Sequence, residues 1–247
     1  MRIAIMGASG RVGTRLVELV LANPGLELAA ALVSPRSVLV GTPVAGGSIE
    51  YRPAEAAMNS HCDLLIDFSS PAASLALQQQ VGLKPMPMVI GTTGFTAEED
   101  AALTGFAAHR PMVVSANFAL GFEAFRQAAE HFARLMPGGE ASVGEVYHAR
   151  KKVDPSGTSR WLASTVRDAR SAVMGFAAPT PEIHVEREGD TVGINEVRFD
   201  LGSAELLMSY RVHTLAAYAE GALAAADWLH TRRPAHGRYS LADTKTV

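Results

Sequence analysis

The chain predicts an α/β protein: a doubly wound parallel sheet first, then an α+β domain built on a mixed sheet. Three observations predict this. A short apolar strand at the start runs into a glycine-rich turn and then a helix. Apolar runs alternate with helical patterns through the first half, the arrangement that places helices on both faces of a parallel sheet. Beyond residue 118 the alternation gives way to a helix, a basic turn and two long strand-like stretches.

Ile3 to Met6 suits a parallel strand buried on both faces. Gly7-Ala8-Ser9-Gly10-Arg11-Val12-Gly13 follows, then a helical pattern through Leu16, Val17, Val20 and Leu21 that stops near Asn23-Pro24-Gly25. Strand, glycine turn and helix in this order form the dinucleotide fingerprint of a Rossmann-type sheet, here spaced G-x-x-G-x-x-G. Gly7 permits the tight turn, Gly10 lets the backbone approach a pyrophosphate, and Gly13 allows close helix packing. The second strand, Leu26 to Val33, ends where an NAD-specific site usually carries an acid for the ribose 2′-hydroxyl. Val33-Ser34-Pro35-Arg36-Ser37 has none, and Ser34, Arg36 and Ser37 can hold a 2′-phosphate. NADPH is therefore the expected cofactor and NADH the alternative; the plain reading of Arg36 is solvent exposure. Strands at Leu64–Ile66, Met88–Ile90 and Met112–Val114 each end in a small polar loop, the place where ligands bind open α/β sheets.

In the second half, a helix from Phe122 to about Leu135 stops at Pro137-Gly138-Gly139. A strand near Ser142–Tyr147 precedes the basic turn, and a helix runs from Ser159 to about Val173. Stretches at Thr191–Leu201 and Glu205–Val212, joined by Gly202-Ser203, read as an antiparallel hairpin. The Ala-rich helix from Leu215 to Leu229 is expected to return to the first domain. The predicted organisation is residues 1–118 as dinucleotide-binding domain, with 216–247 packing back on it, and residues 119–215 as substrate and oligomerisation domain. Sheets of this second type often pair between subunits, so a homo-oligomer, tetramer or dimer, is expected.

The segment Glu145-Val146-Tyr147-His148-Ala149-Arg150-Lys151-Lys152-Val153-Asp154-Pro155-Ser156-Gly157-Thr158 carries the most chemistry. Its last four residues open a helix, whose backbone N–H groups and positive dipole end favour anions. With Arg150, Lys151 and Lys152 alongside, it is a site for a small carboxylate or phosphate; alone, it reads equally well as a solvated basic turn.

Composition narrows the function classes. Of 247 residues, 48% are apolar and 19% charged, which supports a large core and argues against disorder. A net charge of −3 argues against nucleic acid as partner. Cys62 is the single cysteine, so a reducing compartment, the cytoplasm, is expected, and no apolar run is long enough to predict a membrane segment. The scattered histidines show no metal-ligand spacing, so no metal is expected.

Several motifs in order resemble the dihydrodipicolinate reductase (4-hydroxy-tetrahydrodipicolinate reductase) family of the diaminopimelate route to lysine. They are Gly7 to Gly13, Asp67-Phe68-Ser69-Ser70-Pro71, Gly91-Thr92-Thr93-Gly94-Phe95, Ser115-Ala116-Asn117-Phe118 and Lys152-Val153-Asp154-Pro155-Ser156-Gly157-Thr158. The resemblance spans nearly the whole chain. It implies a reductase in which NAD(P)H touches the glycine loop, the Gly91-Thr92-Thr93 turn and the Ser115–Phe118 loop. It further implies a small cyclic dicarboxylate substrate whose carboxylate sits at Ser156-Gly157-Thr158.

The chain departs from the family pattern on the substrate side. The family carries two adjacent histidines after the glutamate, the first being the acid/base; counted from Glu145 these fall on Tyr147 and His148. Tyrosine is the weaker acid, with an unperturbed pKa of about 10 against about 6.5, and Arg150, Lys151 or Lys152 is expected to lower it. The family lysine falls on Lys151 without gaps and on Lys152 if Lys-x-Asp is matched; Lys151 keeps the register. Asn195 and Tyr210 stand where the family often has histidine, and Leu215 where it often has arginine. Three functions fit: the lysine-pathway reductase with Tyr147 or His148 as proton donor, a related NADPH reductase of another cyclic imine, enone or ketone, and a non-catalytic NADPH-binding sensor.

Overall fold

The computed structural model describes residues 1–59 and 61–244. The chain divides into two compact units, one formed by Met1–Leu120 with the stretch from Leu215 onward, the other by Gly121–Thr214.

The first unit is a seven-stranded parallel sheet. Its strands are β1 (Arg2–Met6), β2 (Glu27–Val33), β3 (Tyr51–Pro53), β4 (Leu64–Asp67), β5 (Met88–Ile90), β6 (Pro111–Val114) and, from the C-terminal stretch, β11 (Gly237–Tyr239). The order β11-β6-β5-β4-β1-β2-β3 reverses direction between β1 and β4, which makes the loops after those two strands the walls of the crevice where such sheets bind ligands. Ile3 to Met6 are all buried, as an apolar run without alternation requires. Helices α1 (Arg11–Ala22) and α6 (Ala216–Arg232) share one core cluster with Ile3, Ile5, Leu64 and Val89. Helices α2 (Pro71–Val81) and α3 (Ala97–Ala107) cover the other face through Leu77 and Leu103. Side chains alternate along each strand, so Ala4, Met6 and Leu65 point to that second face.

The second unit is a four-stranded mixed sheet of order β10-β9-β7-β8. Its strands are β7 (Glu140–Tyr147), β8 (Glu182–Arg187), β9 (Gly193–Asp200) and β10 (Glu205–Val212). β7 runs parallel to β8 and antiparallel to β9, and β9 and β10 form the expected hairpin. Helices α4 (Phe122–Leu135) and α5 (Gly157–Met174) bury Phe122, Leu162 and Val166 with Val143, Val197 and Phe199 of the sheet. The opposite face carries Ser142, Gly144, His184, Glu186, Glu196 and Arg198, and no helix covers it among the described residues.

The sequence reading omits β3, β8 and β11. Each is short or heavily charged: β8 exposes Glu182, His184 and Glu186 while Ile183, Val185 and Arg187 turn inward. No helix among the described residues is long and apolar enough to cross a membrane.

Candidate functional site

In the first unit the glycine turn is shaped by lack of space. Gly7 has φ +78°, and a Cβ there would fall 2.4 Å from the Phe68 carbonyl oxygen. A Cβ on Gly13 would fall 2.0 Å from the Gly7 carbonyl oxygen, so this glycine lets α1 begin directly against the turn. The Gly7 and Ala8 amides both donate to the Leu32 carbonyl at 3.0 Å, tying the turn to β2. Gly10 caps α1 with no side-chain hydrogen bond, and the first turn holds no acid. Ser9 and Arg11 are exposed and Val12 is half-buried. The result is a bare positive helix end, which suits a pyrophosphate. Just past β2, Ser34 and Arg36 are exposed, and the Arg36 amide donates to the Ser34 hydroxyl at 3.4 Å.

Asp67 fastens the neighbouring loops. Its buried Oδ1 accepts from the Ser69 amide (3.0 Å), the Ser69 hydroxyl (2.5 Å) and the buried Thr92 hydroxyl (3.1 Å). Burial pushes the Asp67 carboxyl above the usual range, and the bonds from Ser69 and Thr92 recover only part of that. Gly91 has the Phe68 ring where a Cβ would sit, at 2.3 Å, and Phe68 packs on Phe118 with centroids 5.6 Å apart. Thr93 is exposed. The Ser115 hydroxyl donates to the Asn117 carbonyl at 2.8 Å, and Asn117 Oδ1 accepts from the Ala119 amide at 2.9 Å. Asn117 Nδ2 is buried without a protein partner, a donor position that an added acceptor would satisfy. The cradle that a Cβ would fill and this amide both fit a dinucleotide.

In the second unit the residues of the basic segment converge on one buried network. Glu145 and Tyr147 lie on the helix-covered face of β7, with Glu145 opposite Asn195 and Tyr147 opposite Arg187. The Tyr147 hydroxyl donates to Asn195 Oδ1 at 3.2 Å, and Asn195 Nδ2 donates to Ser159 Oγ at 3.2 Å. The Ser159 hydroxyl donates to Glu145, which also accepts from the Ser156 amide (2.8 Å) and pairs with Arg187 (2.8 Å). Burial pushes the Glu145 carboxyl up, but hydrogen bonds from Ser156, Ser159 and Arg187 outweigh it and hold the group below the usual range. Ser156 caps α5, its hydroxyl accepting from the Ser159 amide at 3.1 Å. Thr158 and His148 are buried.

One sequence expectation, a lowered Tyr147 pKa, is corrected by this geometry. The cation expected beside Tyr147 is present, with Lys151 Nζ 3.4 Å from the ring centroid. Yet burial, helped by the Glu145 charge, raises the Tyr147 pKa; Ser156, Asn195 and Thr158 offset only part. The ammonium lies over the ring face, where it meets the π electrons rather than the hydroxyl. At the helix start, expected to offer its N–H groups to an anion, the Ser156 amide donates inward to Glu145 and the Ser159 amide to the Ser156 hydroxyl. Of the two lysines, Lys151 is half-buried on Tyr147, whereas Lys152 is exposed and contributes its carbonyl to Arg187. Tyr210 joins an aromatic cluster with Phe122 (5.5 Å) and Phe125 (5.6 Å), and Leu215 caps α6 in the first unit.

Residues 1–118 match the family model for the N-terminus of dihydrodipicolinate reductase, and residues 121–244 the model for its C-terminus. The chain belongs to the dihydrodipicolinate reductase family. It is an NAD(P)H-dependent oxidoreductase. The 4-hydroxy-tetrahydrodipicolinate reductase of Methanocorpusculum labreanum is 30% identical, with 97% of each chain covered. That of Thiobacillus denitrificans is 32% identical over 98% of this chain and 97% of its own. The dipicolinate-bound dihydrodipicolinate reductase from Paenisporosarcina sp. TG-14 shares the fold, with a TM-score of 0.72 at 20% identity and 97% of both chains covered.

Arg187 of this reductase escaped the sequence reading because β8 did. The available signal was the two-residue alternation over Glu182–Arg187, which puts Arg187 on the inward face with Ile183 and Val185.

Proposed function

We propose that this reductase acts in the diaminopimelate route to lysine as a 4-hydroxy-tetrahydrodipicolinate reductase, reducing a small cyclic dicarboxylate imine or ene with NADPH. The observation that carries this reading is the buried chain from Tyr147 through Asn195 and Ser159 to Glu145, set directly beneath the Ser156-Gly157-Thr158 helix start. A carboxylate at that start gains the helix dipole, the Thr158 side chain and the Lys151 ammonium.

The cofactor supplies the hydride when bound. Gly7 to Gly13 would hold its pyrophosphate, with Ser34 and Arg36 at the 2′-phosphate and Gly91 to Thr93 and Ser115 to Phe118 along its remainder. Tyr147 is protonated at neutral pH as any phenol with a pKa of about 10 is, and burial shifts it further in that direction. The raised pKa makes release of its proton harder, and to act as the donor it must turn its hydroxyl from Asn195 to the substrate; His148, next on the chain, is the other proton donor. Lys151 and Lys152 neutralise substrate charge, Lys151 from its place on the Tyr147 ring. The uncovered face of the mixed sheet is the surface through which subunits would pair as a dimer or tetramer. The unpaired Cys62 fits a cytoplasmic setting.

A second reading has its own observation. Tyr147 and Asn195 occupy two positions where the family often has histidine, and here they bond to each other. Such a paired change fits a related reductase with another cyclic imine, enone or ketone. NADPH oxidation separates the two readings when the substrate is generated in place from pyruvate and aspartate semialdehyde by its synthase. Turnover of about 1–1000 per second supports the first; tight NADPH binding without turnover supports the second.

A further inference from the structure

We propose that Arg187 is a positioning residue that clamps the 152–156 turn into the shape that receives the substrate carboxylate. The proposal rests on the reductase reading above and concerns a residue outside the Glu145–Thr158 segment. Its guanidinium donates to the Lys152 carbonyl from Nε (3.0 Å) and Nη2 (2.6 Å), and from Nη2 to the Asp154 carbonyl (3.0 Å). Nη2 also reaches Glu145 Oε1 at 2.8 Å, while Nη1 donates to the carbonyl of Glu186 (2.7 Å). The side chain is 8% exposed and that of Glu145 0%.

Arg187 holds two backbone carbonyls of the turn, and Glu145, its ion-pair partner, holds the Ser156 amide. Each is anchored on a strand, Arg187 at the end of β8 and Glu145 on β7, so the turn is tied to two paired strands of one sheet. At the start of the loop Arg150 pairs with exposed Asp190 at 3.1 Å and Lys151 lies on the Tyr147 ring; the carbonyls of Lys152 and Asp154 are held by Arg187, just ahead of Pro155. Without the clamp the turn would sample many shapes, and binding a carboxylate would carry the ordering cost each time. A lysine at 187 keeps the charge beside Glu145 but cannot present the planar fork that serves several acceptors at once.

The test compares wild type with Arg187→Lys. Glu145 keeps a cation in this variant, so folding is preserved; Arg187→Met, which strands the buried carboxylate, serves only as a contrast. The readouts are NADPH affinity, dipicolinate affinity by calorimetry in the presence of NADPH, and steady-state kinetics. For Arg187→Lys the expected result is NADPH affinity within about twofold of wild type, dipicolinate affinity weakened about tenfold or more, and a matching rise in KM with a smaller change in kcat. Unchanged dipicolinate affinity and KM in Arg187→Lys overturn the clamp while leaving the function standing. A wild type that binds NADPH but not dipicolinate overturns both the clamp and the substrate reading. Equal losses in NADPH and dipicolinate binding show a merely structural arginine and also overturn the proposal.

Discussion

Replacing Gly221 by alanine adds one methyl group to the middle of α6, a change that ordinarily stabilises a helix by up to about 1 kcal/mol. Here the sign should reverse. A Cβ at Gly221 falls 1.7 Å from the Phe118 carbonyl oxygen, whereas real Cβ atoms keep at least 3.0 Å, so about 1.3 Å must be found by moving backbone. Neither side can yield easily. Phe118 and Ala119 are each 1% exposed, and Ala219, Ala222, Ala225 and Ala226 of α6 are fully buried in the same core. Overpacking of this kind costs about 1–3 kcal/mol, and more where the neighbour is backbone. At about 2–4 °C per kcal/mol for a chain of this size, a cost of about 3 kcal/mol lowers Tm by about 6–12 °C. The control is Gly105→Ala in α3, where nothing lies within 4 Å of the added carbon. That variant should gain about 0.5–1 kcal/mol. Thermal unfolding followed by circular dichroism reads both. NADPH titration of Gly221→Ala should also show weaker binding, because the displaced loop is the one carrying Ser115 to Phe118. If Gly221→Ala melts at or above wild type, the close approach of α6 to that loop is wrong.

Four other tests address separate links. Tyr147→Phe removes the hydroxyl that bonds Asn195 and should cut kcat/KM at least about tenfold; an unchanged value excludes the phenol from the site. If Tyr147 is the donor, the raised pKa keeps wild-type activity free of a fall near pH 6.5, where an ordinary histidine would lose its proton; a break there in kcat/KM points to His148. Arg36→Ala should weaken NADPH by about tenfold and leave NADH within about twofold, as loss of a phosphate partner requires; parallel losses refute the 2′-phosphate role. Glu145 and Asp67 should impose opposite pH trends on stability. Glu145, depressed, contributes stability above the ordinary carboxylate pKa that is lost as pH falls through its lowered value. Asp67, raised, contributes stability at low pH that is lost as pH rises through its elevated value. Wild type should therefore gain on Asp67→Asn as pH falls through the raised Asp67 pKa toward the ordinary carboxylate range, and a difference in Tm that stays constant across the whole pH titration would contradict the assignment.

The two-part architecture and most of its elements were legible because their signals are local. An unbroken apolar run such as Ile3–Met6 marks a strand buried on both faces, and Gly7 to Gly13 marks a turn where side chains have no room. The helix cap at Ser156 and the hairpin at Gly202-Ser203 follow equally from neighbouring residues. What the sequence by itself determined was thus the element types, the glycine turn after β1 and the grouping of Tyr147 to Thr158 as a candidate site. Only the tertiary structure decided how those residues are used. Charge pattern put three cations near Tyr147 and predicted a lowered pKa, but burial in the second unit raises it, since desolvation depends on what packs around the phenol. Helix-start logic marked the backbone N–H groups near Ser156 as donors, and only the fold showed that β7 brings Glu145 beneath the Ser156 amide. Arg187 lies 42 residues from the Glu145 it pairs with. No local pattern links the two, because register between β7 and β8 is set by the face each strand buries.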